Sequence, residues 1–170
     1  YRLIQNKTYP SWGYSIEQGS TTIWERWNSY TKDKGFGDVG MNSFNHYAYG
    51  ACSEWMFRSM LGIDTDGAGF KKIVMKPELP ALSGVEGGEG ISWAKGHYDS
   101  IHGRIASNWK LDGETFRWMI TVPPNTEATV YVPAKDAASV SESGRPANKA
   151  EGVKFLRMEK DRAVFEVTSG

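Results

Sequence analysis

Residues 101–122, IHGRIASNWKLDGETFRWMITV, decide the fold of the larger part of this chain. Apolar and polar residues alternate on both sides of Asp112-Gly113, a dipeptide that is common in tight hairpin turns. The stretch therefore predicts two antiparallel strands, 101–111 and 115–122, joined at that turn.

Short alternating segments of the same kind lie on both sides of this hairpin. Further strands are predicted at 72–76, 91–98, 128–132, 138–142, 153–160 and 163–167. Turn residues such as Asn125 and Ser143-Gly144 separate them, and no helical pattern lies between them. Strands at this spacing are typical of two packed sheets, so residues 66–170 are predicted to form an antiparallel β-sandwich.

The first 65 residues show helical rather than alternating periodicity. A helix is predicted to begin at Ser11 and to end at Gly19. A longer helix is predicted from Asn42 or Ser43 to Gly62, with an apolar stripe wide enough to be buried on more than one side.

These two helices are rich in Trp, Phe, Tyr and Met, and they cannot bury all of that surface on each other. We therefore expect them to be the last helices of a larger helical domain that begins outside this chain. Without that domain, the hairpin should self-associate or rearrange. The predicted fold class is α+β, with a helical hairpin in residues 1–65 followed by the β-sandwich in 66–170. Residues 62–72, GIDTDGAGFKK, are predicted to be a linker.

The composition argues against several classes of function. The 20 basic and 20 acidic residues give a net charge of zero, so nothing indicates binding to nucleic acid or to a membrane surface. No segment is apolar over the length that a membrane span needs, and the first residues do not resemble a signal peptide. The single cysteine, Cys52, is predicted to be a buried apolar residue. His97 and His102 have no partners at metal-ligand spacing, so no metal or cofactor is expected.

The stretch 19–50 concentrates the residues that can do chemistry. Glu25 lies between Trp24 and Trp27 in TTIWERW, which is predicted to be an irregular loop, and His46 follows among asparagines and tyrosines. Aromatic rings pack on the C–H faces of sugars, and amide groups bind sugar hydroxyls. A carboxylate can then act as acid or base on the ring so held. The pattern predicts a carbohydrate site.

Simpler interpretations of these residues stay open. Glu25 could form an ion pair with Arg26, or it could accept hydrogen bonds from backbone amides. Asn42 and Asn45 are as compatible with capping the next helix as with binding a sugar hydroxyl. His46 could likewise cap or pack at the start of that helix. The pattern also does not distinguish which tryptophan would face a sugar.

Two motifs in the helical half resemble a known family. YPSWGYSIEQGSTTIWERW (9–27) and MNSFNHYAYGACSEWMFRSMLGI (41–63) are similar to the end of the catalytic domain of bacterial α-L-rhamnosidases, glycoside hydrolase family 78. The segments 69–79 and 98–133 resemble that family's C-terminal β-domain less specifically.

The resemblance implies that the helical hairpin ends an (α/α)6 barrel, and that the enzyme hydrolyses terminal α-L-rhamnosides with inversion. It implies that Glu25 is the general base that activates water and that His46 lines the rhamnose subsite. We predict Trp24, Trp27 and Asn45 to be further sugar contacts. In that family the general acid lies well upstream, so the chain alone should be inactive. Its expected partners are L-rhamnose-containing glycosides and the missing N-terminal part of the same enzyme.

A different function would rest on the sandwich alone. Trp93, Trp109 and Trp118 fall in predicted strands, and they could form the platform of a non-catalytic carbohydrate-binding domain. Alternatively they pack the core of a purely structural domain. Core packing is the stronger interpretation, because no exposed aromatic row can be traced in the sequence.

Overall fold

The computed structural model describes residues 1–80 and 90–169. The chain divides into two compact units. Unit 1 is Tyr1–Glu54 with Pro80–Ile91, and unit 2 is Trp55–Leu79 with Ser92–Gly170. The predicted class is confirmed, since helical segments are followed by sheets in which antiparallel pairing dominates. No helix among the described residues has the length and apolar character needed to cross a membrane.

Unit 1 consists of short helices and loops. Helix α1 spans Arg2–Gln5 and α2 spans Trp12–Glu17. The hydroxyl of Ser11 accepts a hydrogen bond from the Tyr14 backbone N–H at 2.9 Å, so the predicted helix start is confirmed. The TTIWERW segment is a loop as predicted. A small antiparallel ladder follows it, formed by β1 (Tyr30–Thr31) and β2 (Gly35–Phe36).

The second helical segment is shorter than the sequence predicts. It consists of a 3-10 turn, α3 and a π-helical turn, at Ala48–Ala51, Cys52–Trp55 and Met56–Met60. The predicted start at residue 42 or 43 is wrong, because the backbone of Ser43 and His46 is bonded to an earlier loop instead of continuing a helix. No residue of this segment is buried within the chain, and Cys52, predicted to be a buried apolar residue, is a half-buried free thiol.

Unit 2 contains a five-stranded and a three-stranded sheet. The strands of the larger sheet are Ile63–Thr65 (β3), Lys72–Met75 (β4), Glu127–Pro133 (β8), Val153–Glu159 (β11) and Arg162–Thr168 (β12). They lie in the order β11-β12-β8-β4-β3 in this sheet. All its pairs are antiparallel except β4 with β8. The smaller sheet has the order β5-β6-β7, with strands Trp93–Ser100, Gly103–Asp112 and Thr115–Thr121.

Two details of the strand prediction are corrected. The expected linker 62–72 contains β3, which pairs with β4, and a 3-10 turn at Ala68–Phe70. The predicted strand 138–142 is only partly a strand: a 3-10 turn, Ala137–Ser139, covers its first residues, and its last two form β9 (Ser141–Glu142), which pairs with β10 (Arg145–Pro146).

The core of unit 2 is formed by inward-facing side chains of both sheets. The largest fully buried side chains include Ile73, Met75, Ile105, Trp109, Val164 and Phe165. Trp109 also donates its indole N–H to the Met60 carbonyl at 2.7 Å, which satisfies its polar atom inside the core. The core interpretation of Trp109 is therefore confirmed, whereas Trp93 is 62% exposed.

Candidate functional site

Backbone hydrogen bonds join the loop that contains Glu25 to the segment that contains His46. The Glu25 N–H donates to the Ser43 carbonyl at 2.8 Å, and the His46 N–H donates to the Ile23 carbonyl at 2.9 Å. The two sequence motifs, about twenty residues apart, therefore lie side by side.

The carboxylate of Glu25 is half-buried and only partly engaged. Its Oε2 accepts a hydrogen bond from the Ser43 N–H at 2.8 Å. Among the described residues, Oε1 accepts no hydrogen bond and no ion pair joins Glu25 to Arg26. The ion-pair interpretation is therefore wrong, and the backbone-amide interpretation holds for one oxygen. A carboxylate anchored at one oxygen and open at the other can still accept a proton from water.

The two tryptophans beside Glu25 have different surroundings. Trp24 is 7% exposed and packs edge-to-face against Phe44, with 5.5 Å between ring centroids. Trp27 is half-buried and stacks on Tyr49 at 3.9 Å, with an angle of 10° between the rings. Trp12 completes this second group, 5.1 Å from Trp27 and hydrogen-bonded through its indole N–H to the Tyr49 carbonyl. Trp27 is thus the more accessible of the predicted pair.

A concavity of about 330 Å³ lies on unit 1. Aromatic, hydroxyl and aliphatic side chains line it: Trp12, Ser15, Ile16, Ser20, Thr21, Thr22, Ile23, Trp24, Trp27 and Tyr49. Such a lining suits a small polar ring with apolar faces. The structure brings the two predicted tryptophans together in this concavity, but Glu25, Asn45 and His46 are not among its lining residues.

His46 and Asn45 lie just before the helical segment. The His46 Nδ1 accepts a hydrogen bond from the Ala48 N–H at 3.4 Å, which leaves Nε2 to carry the proton in the neutral ring. Asn45 is exposed, and its backbone N–H donates to the Ser43 hydroxyl at 3.2 Å. Tyr47 occupies the N-cap position without a side-chain bond. The expectation that His46 lies in the first turn of the helix is therefore wrong, and Asn45 does not cap that helix.

Sequence reasoning missed the residues that support this loop. Ser43 bonds both the backbone and the carboxylate of Glu25, yet nothing in the sequence distinguishes it from other loop serines. Asn42 donates its side-chain N–H to the buried Ser29 carbonyl at 3.0 Å. Tyr49 lies in the motif 41–63, but its stacking on Trp27 forms only when the two segments meet in the folded protein.

Comparison with known proteins identifies the class to which this arrangement belongs. Residues 1–60 match the model of the bacterial alpha-L-rhamnosidase 6 hairpin glycosidase domain. Residues 62–146 match that of the bacterial alpha-L-rhamnosidase C-terminal domain. The class is therefore a hairpin glycosidase domain joined to a C-terminal β-domain. The chain belongs to the bacterial α-L-rhamnosidase family.

Individual α-L-rhamnosidases are similar to this chain in sequence and in structure over most of its length. It is 42% identical to an α-L-rhamnosidase of Streptomyces avermitilis over its whole length, and 41% identical to one of Formosa agariphila over 94% of it. The crystal structure of the Streptomyces avermitilis enzyme complexed with L-rhamnose superposes with a TM-score of 0.83 at 42% identity and covers all of this chain. The structure of the α-L-rhamnosidase from Dictyoglumus thermophilum gives a TM-score of 0.77 at 32% identity over 98%. The chain spans only 15–17% of the length of these relatives.

Proposed function

We propose that this chain is the C-terminal portion of an inverting α-L-rhamnosidase and that Glu25 is its general base. The observation that carries the proposal is the carboxylate itself: Ser43 anchors its Oε2, while Oε1 accepts no hydrogen bond from any described residue. Membership in the α-L-rhamnosidase family and the L-rhamnose complex of the Streptomyces avermitilis relative support the choice of sugar.

The proposed reaction needs two carboxyl groups. Glu25 accepts a proton from a water molecule whose oxygen attacks the anomeric carbon, while a second carboxylic acid protonates the leaving glycosidic oxygen. In inverting enzymes these groups stand roughly 6.5–9.5 Å apart so that water fits between them. Glu17 is an exposed surface residue, 3.7 Å from Lys7, and does not fit the role of the acid. Because the family resemblance places the acid upstream of these motifs, we propose that it comes from a part of the enzyme outside this chain.

Neighbouring side chains are proposed to hold the sugar. His46 presents Nε2–H as a donor to a rhamnose hydroxyl, because Nδ1 is occupied by the Ala48 N–H. The accessible Trp27 is the better stacking surface than the buried Trp24, and exposed Asn45 can add an amide contact.

The decisive test is Glu25→Gln in the full-length enzyme. We expect kcat for an aryl α-L-rhamnoside to fall by about 10³-fold, with KM little changed, because the variant removes the proton acceptor and keeps the shape. Glu17→Gln is the matched control and should retain wild-type turnover. NMR of the first product should show β-L-rhamnose in the wild type. Near-normal turnover by Glu25→Gln, with intact folding, would reject the assignment.

The chain on its own is proposed to be inactive, because it lacks the acid. It should release no measurable rhamnose from the same aryl glycoside, and robust turnover would mean that a second carboxyl group of this chain serves as acid. We also expect the helical hairpin of the isolated chain, which lacks the rest of its domain, either to self-associate or to rearrange. Sedimentation velocity checks this, and a monodisperse monomer with well-ordered helices would contradict it.

A non-catalytic β-domain is the alternative function. The burial of Trp109 excludes that ring from an aromatic sugar platform, because it cannot reach a ligand.

A further inference from the structure

The outer face of the three-stranded sheet carries side chains that the core does not use. Along β5, β6 and β7 these residues alternate with the inward-facing ones. The register places Trp93, Lys110 and Arg117 in one row across the three strands, and Lys95, Asn108 and Met119 in the next row. We call these two rows the outer patch.

The outer patch exposes large apolar surface beside its cations. The side chain of Trp93 is 62% exposed and that of Met119 is 68% exposed. Tryptophan is usually highly buried, so an exposed indole in an otherwise well-packed sheet is an informative exception. It offers a flat ring on which the C–H face of a sugar can stack.

The lysines and arginines of the two sheets differ in whether they form ion pairs. Every lysine and arginine in the strands of the five-stranded sheet has a carboxylate partner, in the pairs Lys72–Glu127, Lys154–Glu166, Arg157–Glu159 and Arg162–Glu78, at 2.8–3.7 Å. In the described part of the chain, Lys95, Lys110 and Arg117 of the outer patch form no ion pair. The absence of internal partners leaves their charges available to an external anion.

Among the described residues, no acidic side chain on this face forms an ion pair with a cation of the outer patch. Asp99 is already engaged by Arg104, with 2.9 Å between Nε and Oδ1, and His97 lies 3.7 Å from the same carboxylate. Asp112 lies on the same face, in the row next to that of Lys110 and Arg117, but forms no ion pair with either of them. The whole chain is neutral, so the positive charge of the patch is a local feature.

We propose that the outer patch binds an acidic polysaccharide that carries uronate carboxylates. Trp93 stacks on one sugar ring, and Lys110 and Arg117 pair with carboxylates further along the glycan. Neighbouring strands are about 4.8 Å apart, so the row from Trp93 to Arg117 spans about 10 Å, comparable with two linked sugar rings. The planar guanidinium of Arg117 can hold a carboxylate through two parallel hydrogen bonds. This second glycan site goes beyond the rhamnosidase assignment and does not depend on Glu25.

A nucleic acid is the competing polyanion. Nucleic-acid-binding domains are usually basic as a whole and track the backbone with a long positive groove. In the described part of the chain, the outer patch instead presents the exposed indole of Trp93 and three cations that form no ion pair, on a chain of zero net charge. These features favour a glycan.

The test measures binding of the 170-residue chain to immobilised polygalacturonate by biolayer interferometry. The matched comparison polymer is fully methyl-esterified polygalacturonate, which has the same backbone without charge. We expect binding to the acidic polymer, weakening with added NaCl, and little binding to the ester. Combined Lys110→Ala and Arg117→Ala should weaken binding about tenfold, and Trp93→Ala about fivefold.

Exposed cations elsewhere in unit 2 supply the control. Combined Lys135→Ala and Lys149→Ala removes the same charge and should change affinity less than twofold. Equal binding to the methyl ester, equal loss in the control variant, or preference for duplex DNA would each overturn the proposal. Circular dichroism verifies that every variant is folded. Glu25→Gln should leave polygalacturonate binding unchanged, so failure of either proposal is distinguishable from failure of the other.

Discussion

The two units of this protein are stabilised by different means. In residues 1–54 one apolar side chain is almost completely buried, that of Trp24, whereas unit 2 buries Ile73, Trp109, Phe165 and others from both sheets. Each fully buried large side chain contributes roughly 1.5–3 kcal/mol, and an aromatic pair adds about 0.5–1.5 kcal/mol beyond its burial. Unit 2 therefore has its own core, while unit 1 depends on ring contacts and on loop hydrogen bonds.

Unit 1 also leaves much of its apolar surface exposed. Several large apolar side chains in it are more than 60% exposed, namely Leu3, Ile16, Phe36, Val39, Met41 and Tyr47. Surfaces of this kind are typical of segments that pack against other protein surface. The loop proposed to carry the catalytic base therefore belongs to the unit that has the smaller core of its own.

The largest effect should come from removing one buried tryptophan from each unit. Trp109→Ala should lower the free energy of unfolding of unit 2 by about 3–5 kcal/mol, because it leaves a cavity and orphans the Met60 carbonyl. Trp24→Ala should leave that transition unchanged. Urea titrations monitored by far-UV circular dichroism measure both. An equal loss in the two variants would mean that the units unfold as one.

Hydrogen exchange sharpens the comparison without mutation. The amides of β8 and β12 should exchange at least about 100-fold more slowly than those of Glu25 and His46, because the strand amides open only with the core. Mass-spectrometric exchange of the isolated chain measures this ratio. Similar protection in both segments would show that the loop is as stable as the sheet.

A smaller effect is expected from the stack of Trp27 on Tyr49. Tyr49→Leu should destabilise unit 1 by about 1 kcal/mol, because it removes a parallel ring contact at 3.9 Å. The control is Tyr47→Leu, since Tyr47 is 89% exposed. Near-UV circular dichroism during thermal unfolding follows both variants. An equal shift in the control would rule out a specific role for the stack.

The smallest effect concerns the surface pair Asp99–Arg104. A hydrogen bond from Arg104 holds the pKa of Asp99 below its usual value of 3.8. The pair therefore stabilises the fold above that pH and is lost as pH falls through the lowered pKa. Asp99→Asn should be slightly less stable at neutral pH and equal to the wild type in strong acid. A difference that grows toward acid pH would contradict this sign.

Much of the fold could be predicted from the sequence because strands and turns have local signals. The hairpin of β6 and β7 is confirmed, with its two-residue turn at Gly113-Glu114, one residue beyond the predicted dipeptide, because alternation and turn chemistry act within a few residues. Strand β3 was missed because three residues are too few to show a period, and only pairing with β4 reveals it. The start of the second helical segment was wrong because the contacts of Ser43 and His46 with the Glu25 loop are nonlocal.

The sequence by itself determined the α+β class, most of the strand positions, the membership in the α-L-rhamnosidase family and the placement of Glu25 in a loop. Only the tertiary structure decided that Ser43 anchors one oxygen of Glu25, that Trp24 is buried and Trp27 accessible, and that three cations share one sheet face with Trp93. The physical reason is the separation along the chain of the residues that interact. Propensity and periodicity act between near neighbours in the chain, whereas burial and charge pairing depend on segments that meet only in the folded protein.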